Sequence, residues 1–520
     1  MAFQSHVRPG RAARRAAFEL LRLEERDVPA LLGDTLFPAD NPWNQQVTNA
    51  PVAANSSAVM SAIIAAAGNN RIHPDFGEDD RSAGAALYGI PYNVVHGNSV
   101  PHVNVVIDGY PDESDLLAAP IPANAVIEGD FQTGPNPSVD DRGDSHLIVF
   151  DQDNNRAYEF FGASRPGENT DGKWHADQES VWDTSGNSFR PLTWTSADAA
   201  GLAILPGLVR PDEALPVSQG GQGVIDHAIR FTLTNSAILN QFIYPASHAA
   251  NPRNNDPTTE PPMGARFRLK ANVDLSGLDP ESRIIAQAMK DYGLVLADNG
   301  SDFYFSGASY SVDANNNFDL TYNDDDIQDT THGLKSLHYS DFELVDLTPQ
   351  VTGLSSSSGA AGDTLTVTGQ NFGGAAGHLS VAFGNTPATN VAIVDDAHLR
   401  VGVPAGTGTV NLTVTSGVAA PGVSENVMNP IFGYGTSAVT RADQFTYGAA
   451  LPPGNTPPTI SNVTDRTIPF DGSSGPVPFT VGDAETPAAS LNVSAAASVP
   501  SLGVTLGGSG ANRTITVTPA

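Results

Sequence analysis

Alternation of apolar and polar positions is the dominant signal along this chain. In DTLTVTGQNF, Leu365 and Val367 alternate with Thr364, Thr366 and Thr368, and HLSVAF, HLRVGV and TVNLTVT follow it. A period of two puts successive side chains on opposite faces of a strand, so each run predicts a strand with one buried face. Further strands are predicted at HVNVVIDGY, DHAIRFTL, NQFIYPA, ARFRLKANVDL and DFYFSG. SHLIVF-DQDNN-RAYEFF reads as a hairpin closed by an Asp/Asn loop. Two segments carry a helical period instead. NSSAVMSAIIAAAGNN sets Val59, Met60, Ile63, Ile64 and Ala67 on one face, with Ser56 or Ser57 as cap and Gly68 as terminator. In LDPESRIIAQAMKDYG, Asp279 caps, Pro280 opens, Ile284, Ile285, Ala288 and Tyr292 share a face, and Gly293 closes. The pattern predicts a mainly β chain whose N-terminal domain is a β-sandwich or jelly-roll-like fold with two helices.

Shifts in composition divide the chain. Residues 1–33 are set apart as a leader or disordered N-terminus, and 34–345, with all four Trp and most of the His, form the N-terminal β-rich domain. Residues 349–448 form a Gly/Ser/Thr/Val-rich module, AALPPGNTPP (449–458) is a linker, and 459–520 repeat the low-charge strand pattern. In the first module, Pro349-x-Val351, Ser358-Gly359-x-x-Gly362-Asp363-Thr364-Leu365-x-Val367-x-Gly369-x-Asn371-Phe372-Gly373, Val381-x-Phe383-Gly384 and Val401-x-Val403-Pro404 are similar to the IPT/TIG immunoglobulin-like family. The resemblance implies a small two-sheet sandwich that serves as an interaction or spacer unit without a catalytic site. Gly362 and Asn371 bracket a strand, where turns with positive φ are expected. Residues 459–520 resemble the tandem immunoglobulin-like or cadherin-like repeats of bacterial surface proteins. Against roughly 100 residues for a seven-strand sandwich this repeat is short, so a closing strand beyond TITVT is expected to be missing.

Charge and residue usage narrow the function. Acidic residues outnumber basic ones 57 to 26, a formal charge of −31, which repels phosphate backbones and argues against nucleic acid as a partner. Cys is absent, which excludes disulfides, thiolate metal sites and cysteine nucleophiles. No apolar run approaches the ~18 residues of a membrane-spanning helix. Arg8, Arg11, Arg14 and Arg15 precede AAFELLRL, which Glu19 and Arg22 interrupt. The following Leu23-Glu24-Glu25-Arg26-Asp27-Val28-Pro29-Ala30 resembles the LExRxVPA leader of planctomycete exported proteins, which implies an extracellular or cell-surface location. GDSHLIVF, YEFFGA, LTWTSADAAGLAILPGLVR, IDHAIRFT, PPMGARFRLKA and YGLVLADNGSDFYFSG resemble a family of exported bacterial proteins. That resemblance implies an exported β-rich domain and carries no reaction and no functional residue.

Candidate chemistry is therefore read from residue types. His146 and Glu159 lie on the two arms of the hairpin, whose loop is centred between Gln152 and Asp153, so 146 is expected to pair near 159. With His227 and His248 they make a candidate set for a divalent metal, the alternative being hydrogen-bonded packing. Asp226, His227 and Arg230, with Glu159, are the catalytic candidates. In a polysaccharide groove a His or Tyr would be general base, and an Arg, helped by a basic strip of Arg266, Arg268 and Lys270, would neutralise a uronate. The alternative is an ion pair of Asp226 with Arg230 on an exposed strand face. Carboxylate pairs for glycoside hydrolysis can be drawn from Glu159, Asp183, Asp198, Asp226 and Asp298. Trp182, Trp194 and Tyr244 are candidates for stacking on sugar rings, against a plain core role. DQDNNR lacks the Gly and Glu of a calcium loop and reads as a polar turn. GxxxxGK[ST] and GxSxG are absent. The expected protein is an exported or cell-surface modular chain that binds or acts on carbohydrate, as a hydrolase or lyase if an enzyme. Its partner would be a polysaccharide or cell-surface component. The competing class is a non-catalytic structural or adhesive surface protein.

Overall fold

The computed structural model describes residues 30–32, 34–67, 70–76, 89–130, 143–250, 255–420, 427–429, 431–448, 458–461, 463, 472–484, 486–495 and 502–519. The leader-like run 23–29, Gly68 and most of the Pro/Gly linker lie outside them. The described chain is mainly β, as the alternation predicts.

The N-terminal region is built on two sheets. The larger has six strands in the order Phe342–Leu344, Arg266–Leu269, Leu294–Asn299, Ile229–Leu233, Tyr304–Ser306, His73–Asp75. The pairs Ile229–Leu233 with Leu294–Asn299 and Tyr304–Ser306 with His73–Asp75 are parallel, and the others antiparallel. Parallel pairing demands crossover connections, a feature that alternation within each strand does not reveal. The second sheet orders Tyr92–Val95, Leu147–Asp151, Arg156–Phe161 and Gln178–Asp183, with its central hairpin as predicted. One continuous core includes Phe150, Ala157 and Trp182 of the smaller sheet and Phe231, Phe267 and Leu296 of the larger.

Both predicted helices form. Pro280–Asp291 starts at Asp279, whose side chain accepts from the Glu281 and Ser282 amides, and buries Ile285, Ala288 and Met289. Gly293, at φ 74°, ends it where a Cβ would strike the Phe267 carbonyl. Ser56–Ala66 lacks the predicted side-chain cap. Ser56 is its first residue, and its Oγ accepts instead from the Leu344 amide at 2.9 Å, tying the helix to the sheet's edge strand.

Residues from Gln350 to Tyr447 form a two-sheet sandwich. One sheet orders Gln350–Leu354, Thr364–Gln370, His398–Gly402 and Thr389–Asp395, and the other centres on Leu379–Phe383 and Thr409–Ala419. Leu365 and Val367 face the core with Val381, Phe383, Leu399 and Phe445. Gly362 and Asn371 adopt positive φ, 93° and 62°. This module is seated on the N-terminal region rather than strung from it. Tyr244, Val345, Leu347 and Tyr434 share a buried cluster with Phe189 and Phe432, and the Tyr244 hydroxyl donates to the Gly374 carbonyl at 2.7 Å. Farther on, Thr459–Ile460, Val477–Gly482, Asn512–Pro519 and Leu502–Ser509 make a four-stranded antiparallel sheet.

Candidate functional site

The site is assembled where the two N-terminal sheets face each other. On the strand Ile229–Leu233, Arg230 pairs with Val295 and Thr232 with Asp298, with a register shift after Phe231. Paired residues share a face, so this bulge turns Asp298 to Arg230's side one residue later than strict alternation would. Arg230 is buried and holds the buried Asp198 in a fork: Nε donates to Oδ2 at 2.9 Å and Nη2 meets Oδ1. Its Nη1 donates to Ser306 Oγ at 2.8 Å, and Asp298 Oδ2 lies 3.5 Å from Nη2. Asp198 is fixed in turn by the Ser196 hydroxyl, which accepts from the Asp198 amide at 3.0 Å and donates to Leu202 O at 2.6 Å. Burial, and then the charge of Asp198, push the Asp298 carboxyl well above the usual carboxylate range.

Above this floor opens a cleft of about 230 Å³, lined by Tyr110, Asp144, Phe161, Ser196, Asp298 and Asn299. Tyr110 is 48% exposed and so presents a free ring, while Phe161 is half-buried. His146 is buried behind the cleft, 5.9 Å between ring centroids from Phe161. Burial depresses its pKa against the opposing pull of Asp144 and Asp198. The cleft thus combines the exposed ring and hydroxyl of Tyr110, the Asn299 amide, and a carboxyl that favours its protonated, hydrogen-bond-donating form.

The candidates read from the sequence fall into several environments. His146, Glu159 and Arg230 lie around Asp198, whose charge acts on all three. Glu159 faces Ile148 and Ser180, not position 146, because the hairpin register sets Leu147 opposite Phe160. Its carboxylate accepts from the Ile204 amide, the Leu205 amide at 2.8 Å and Trp182 Nε1 at 2.9 Å, so it anchors the turn Leu205–Gly207. Burial raises its pKa to about 7 while those hydrogen bonds restrain the rise. His227 is elsewhere: Nε2 lies 3.0 Å from Glu213 Oε1 and Nδ1 2.9 Å from Ala228 O. Glu213, despite burial, is held below the usual carboxylate range by Arg210 and His227. His248 directs Nδ1 to Ala199 O at 2.7 Å. Among the described residues no group of three or more His, Asp or Glu is arranged to hold a metal ion.

Asp226 lies beside the helix Pro280–Asp291, with the Tyr292 hydroxyl 3.4 Å away, and does not pair with Arg230. The expected exposed Asp226–Arg230 pair is therefore replaced by the buried Arg230–Asp198 fork. The anticipated basic strip is also corrected: Arg266 and Arg268 are buried, Arg266 donating to the backbone carbonyls of Tyr292 and Pro42, and Arg268 to those of Val47, Thr48 and Ala50 and to the Glu343 carboxylate. Trp182 is buried and Tyr244 belongs to the intermodule seam. Trp194 is half-buried, with the Arg190 guanidinium 5.2 Å from its ring centre. Asp183 is exposed and accepts from Ser185.

Tyr110, Asp144, Ser196 and Asn299 are the cleft residues that reading by residue type missed. A signal for three of them was present. The runs GDSH, WTSADAAG, HAIRF and ADNG, far apart in sequence, supply Asp144 and His146, Ser196 and Asp198, Arg230, and Asp298 and Asn299, and they converge here.

A two-sheet immunoglobulin-like module beside a β-rich cleft domain defines the class of chain. Within it, residues 349–427 match the IPT/TIG domain. No curated protein matches the chain. Among solved structures, it is similar over part of its length to an auxiliary nutrient binding protein from Bacteroides ovatus, at 19% identity and TM-score 0.15, covering 23% of this chain and 24% of that one. It is likewise similar to SGBP-B from a complex xyloglucan utilization locus in Bacteroides uniformis, at 20% identity and TM-score 0.15, covering 28% of this chain and 44% of that one. A third is Gamma-CGTASE from Alkalophilic bacillus clarkii, at 19% identity and TM-score 0.14, covering 26% and 16%. The chain thus spans under half the length of each of these structures.

Proposed function

We propose that this is an exported, surface-associated modular protein whose N-terminal domain binds carbohydrate in the cleft of Tyr110, Asp144, Ser196, Asp298 and Asn299, with the IPT/TIG module as a seated spacer. The observation that supports this reading is the cleft itself. An exposed tyrosine ring beside carboxyl, amide and hydroxyl groups offers one flat apolar wall and convergent hydrogen bonds, the combination a sugar ring requires. The exposed Asp144 at the opening, in a chain of charge −31, favours neutral glycans over uronate polymers. The test is a panel of neutral and acidic oligosaccharides against the full chain, with Tyr110→Ala and Asn299→Ala. Neutral glycans should bind, and Tyr110→Ala should weaken them at least ~10-fold. Absence of binding across the panel, or binding indifferent to both substitutions, refutes the proposal.

A second reading rests on Asp298. A carboxyl that favours its protonated form, in one cleft with Asp144, has the protonation state that the general acid of a glycosidase needs. Asp298→Asn should then abolish release of reducing sugar while binding persists. If the wild-type chain binds glycan without cleaving it, the binding reading stands alone.

A further inference from the structure

A second cavity, of about 210 Å³, opens at the seam between the N-terminal region and the IPT/TIG module. Ile243, Tyr244, Val345 and Leu347 give it apolar walls, and Arg266 and Tyr434 also line it. Arg266 is 2% exposed. Two of its nitrogens donate to backbone carbonyls, of Tyr292 and Pro42, each at 2.6 Å. The Tyr434 hydroxyl lies against the guanidinium and interacts with it, and among the described residues neither this hydroxyl nor Arg266 Nε has a further hydrogen-bond partner. Among the described residues Arg266 makes no ion pair, whereas the buried Arg210, Arg230 and Arg268 each hold a carboxylate. Asp346 also lines the cavity, but its Oδ1 accepts from the Thr348 amide at 2.9 Å.

A guanidinium taken out of water without an anion is costly, and a carboxylate brought to it is bound by charge-assisted hydrogen bonds. We propose that this cavity is a binding site for a small organic monocarboxylate, its anion set at the Arg266 guanidinium beside Tyr434 and its apolar part against Ile243, Val345 and Leu347. The volume is below the roughly 300–1,000 Å³ of sites for drug-sized ligands, so the occupant is small. Apolar walls favour a short aliphatic or aromatic acid over a sugar acid, whose hydroxyls would go unpaired. The site is separate from the carbohydrate cleft and does not depend on it.

The test is calorimetric titration of the full chain with hexanoate, butyrate and benzoate, and with hexanamide as the neutral isostere of hexanoate. At least one acid should give saturable heat below about 10 mM, hexanamide should bind at least ~10-fold more weakly than hexanoate, and Arg266→Met should weaken the acid by at least ~10-fold. Should Arg266→Met fail to fold, Leu347→Trp, which fills the cavity without removing the arginine, must also abolish the heat. No saturable heat from any acid, an amide that binds as well as its acid, or full binding by a folded Arg266→Met or Leu347→Trp overturns the proposal.

Discussion

Replacing Glu159 by Gln tests whether this carboxylate is a structural anchor. Both of its oxygens accept N–H bonds, from Ile204, Leu205 and Trp182. Gln keeps one acceptor oxygen and turns an NH₂ toward at least one of these donors. A buried donor left unpaired costs ~1–3 kcal/mol, so Glu159→Gln should destabilise the N-terminal region by at least that amount. The pH dependence is more diagnostic. Burial raises the folded pKa from 4.5 to about 7, which at ~1.36 kcal/mol per unit corresponds to about 3 kcal/mol. The native state binds this proton more tightly than the unfolded chain. The contribution is therefore fully present below pH 4.5 and is lost as pH rises through about 7. Gln does not titrate. The stability advantage of wild type over Glu159→Gln should thus shrink by about 3 kcal/mol between roughly pH 4.5 and 8. Urea unfolding followed by tryptophan fluorescence reads this directly, because Trp43, Trp174, Trp182 and Trp194 all lie in the N-terminal region. An advantage that stays constant or grows with pH across that window refutes the reasoning.

Two further substitutions probe the supports of the cleft and the seam. Arg230→Met leaves the fully buried Asp198 without its cation, and should cost about 3–5 kcal/mol in denaturant unfolding, with much of it recovered in the Arg230→Met/Asp198→Asn double variant. Tyr244→Ala removes the hydroxyl bond to Gly374 and the ring contacts with Phe432 and Tyr434, and should split the calorimetric transition of the full chain, with the IPT/TIG module melting apart from the N-terminal region. A separately expressed 349–448 should still melt cooperatively, since its Leu365, Val367, Leu399 and Phe445 core is its own. A single unsplit transition for Tyr244→Ala, or no cooperative transition for 349–448, counts against this picture.

What the sequence determined by itself is local. Leu365 and Val367 point inward because alternation is a property of the strand alone, and Asp279 caps its helix because the two amides it satisfies are two and three residues away. The same reasoning placed the IPT/TIG module and the 147–161 hairpin. It could not find the role of Glu159, because its partners at 182, 204 and 205 are brought to it by another strand and by a turn. It could not foresee that Arg266 and Arg268 are buried, because an arginine's environment depends on which carbonyls the folded backbone turns toward it. The cleft itself rests on tertiary structure twice over. A register shift between two parallel strands turns Asp298 to the side of Arg230, and facing sheets bring together runs separated by more than a hundred residues. Periodicity encodes which face of an element is apolar, but register and long-range pairing are set by the packing of those faces against each other, and that is decided only when the whole core forms.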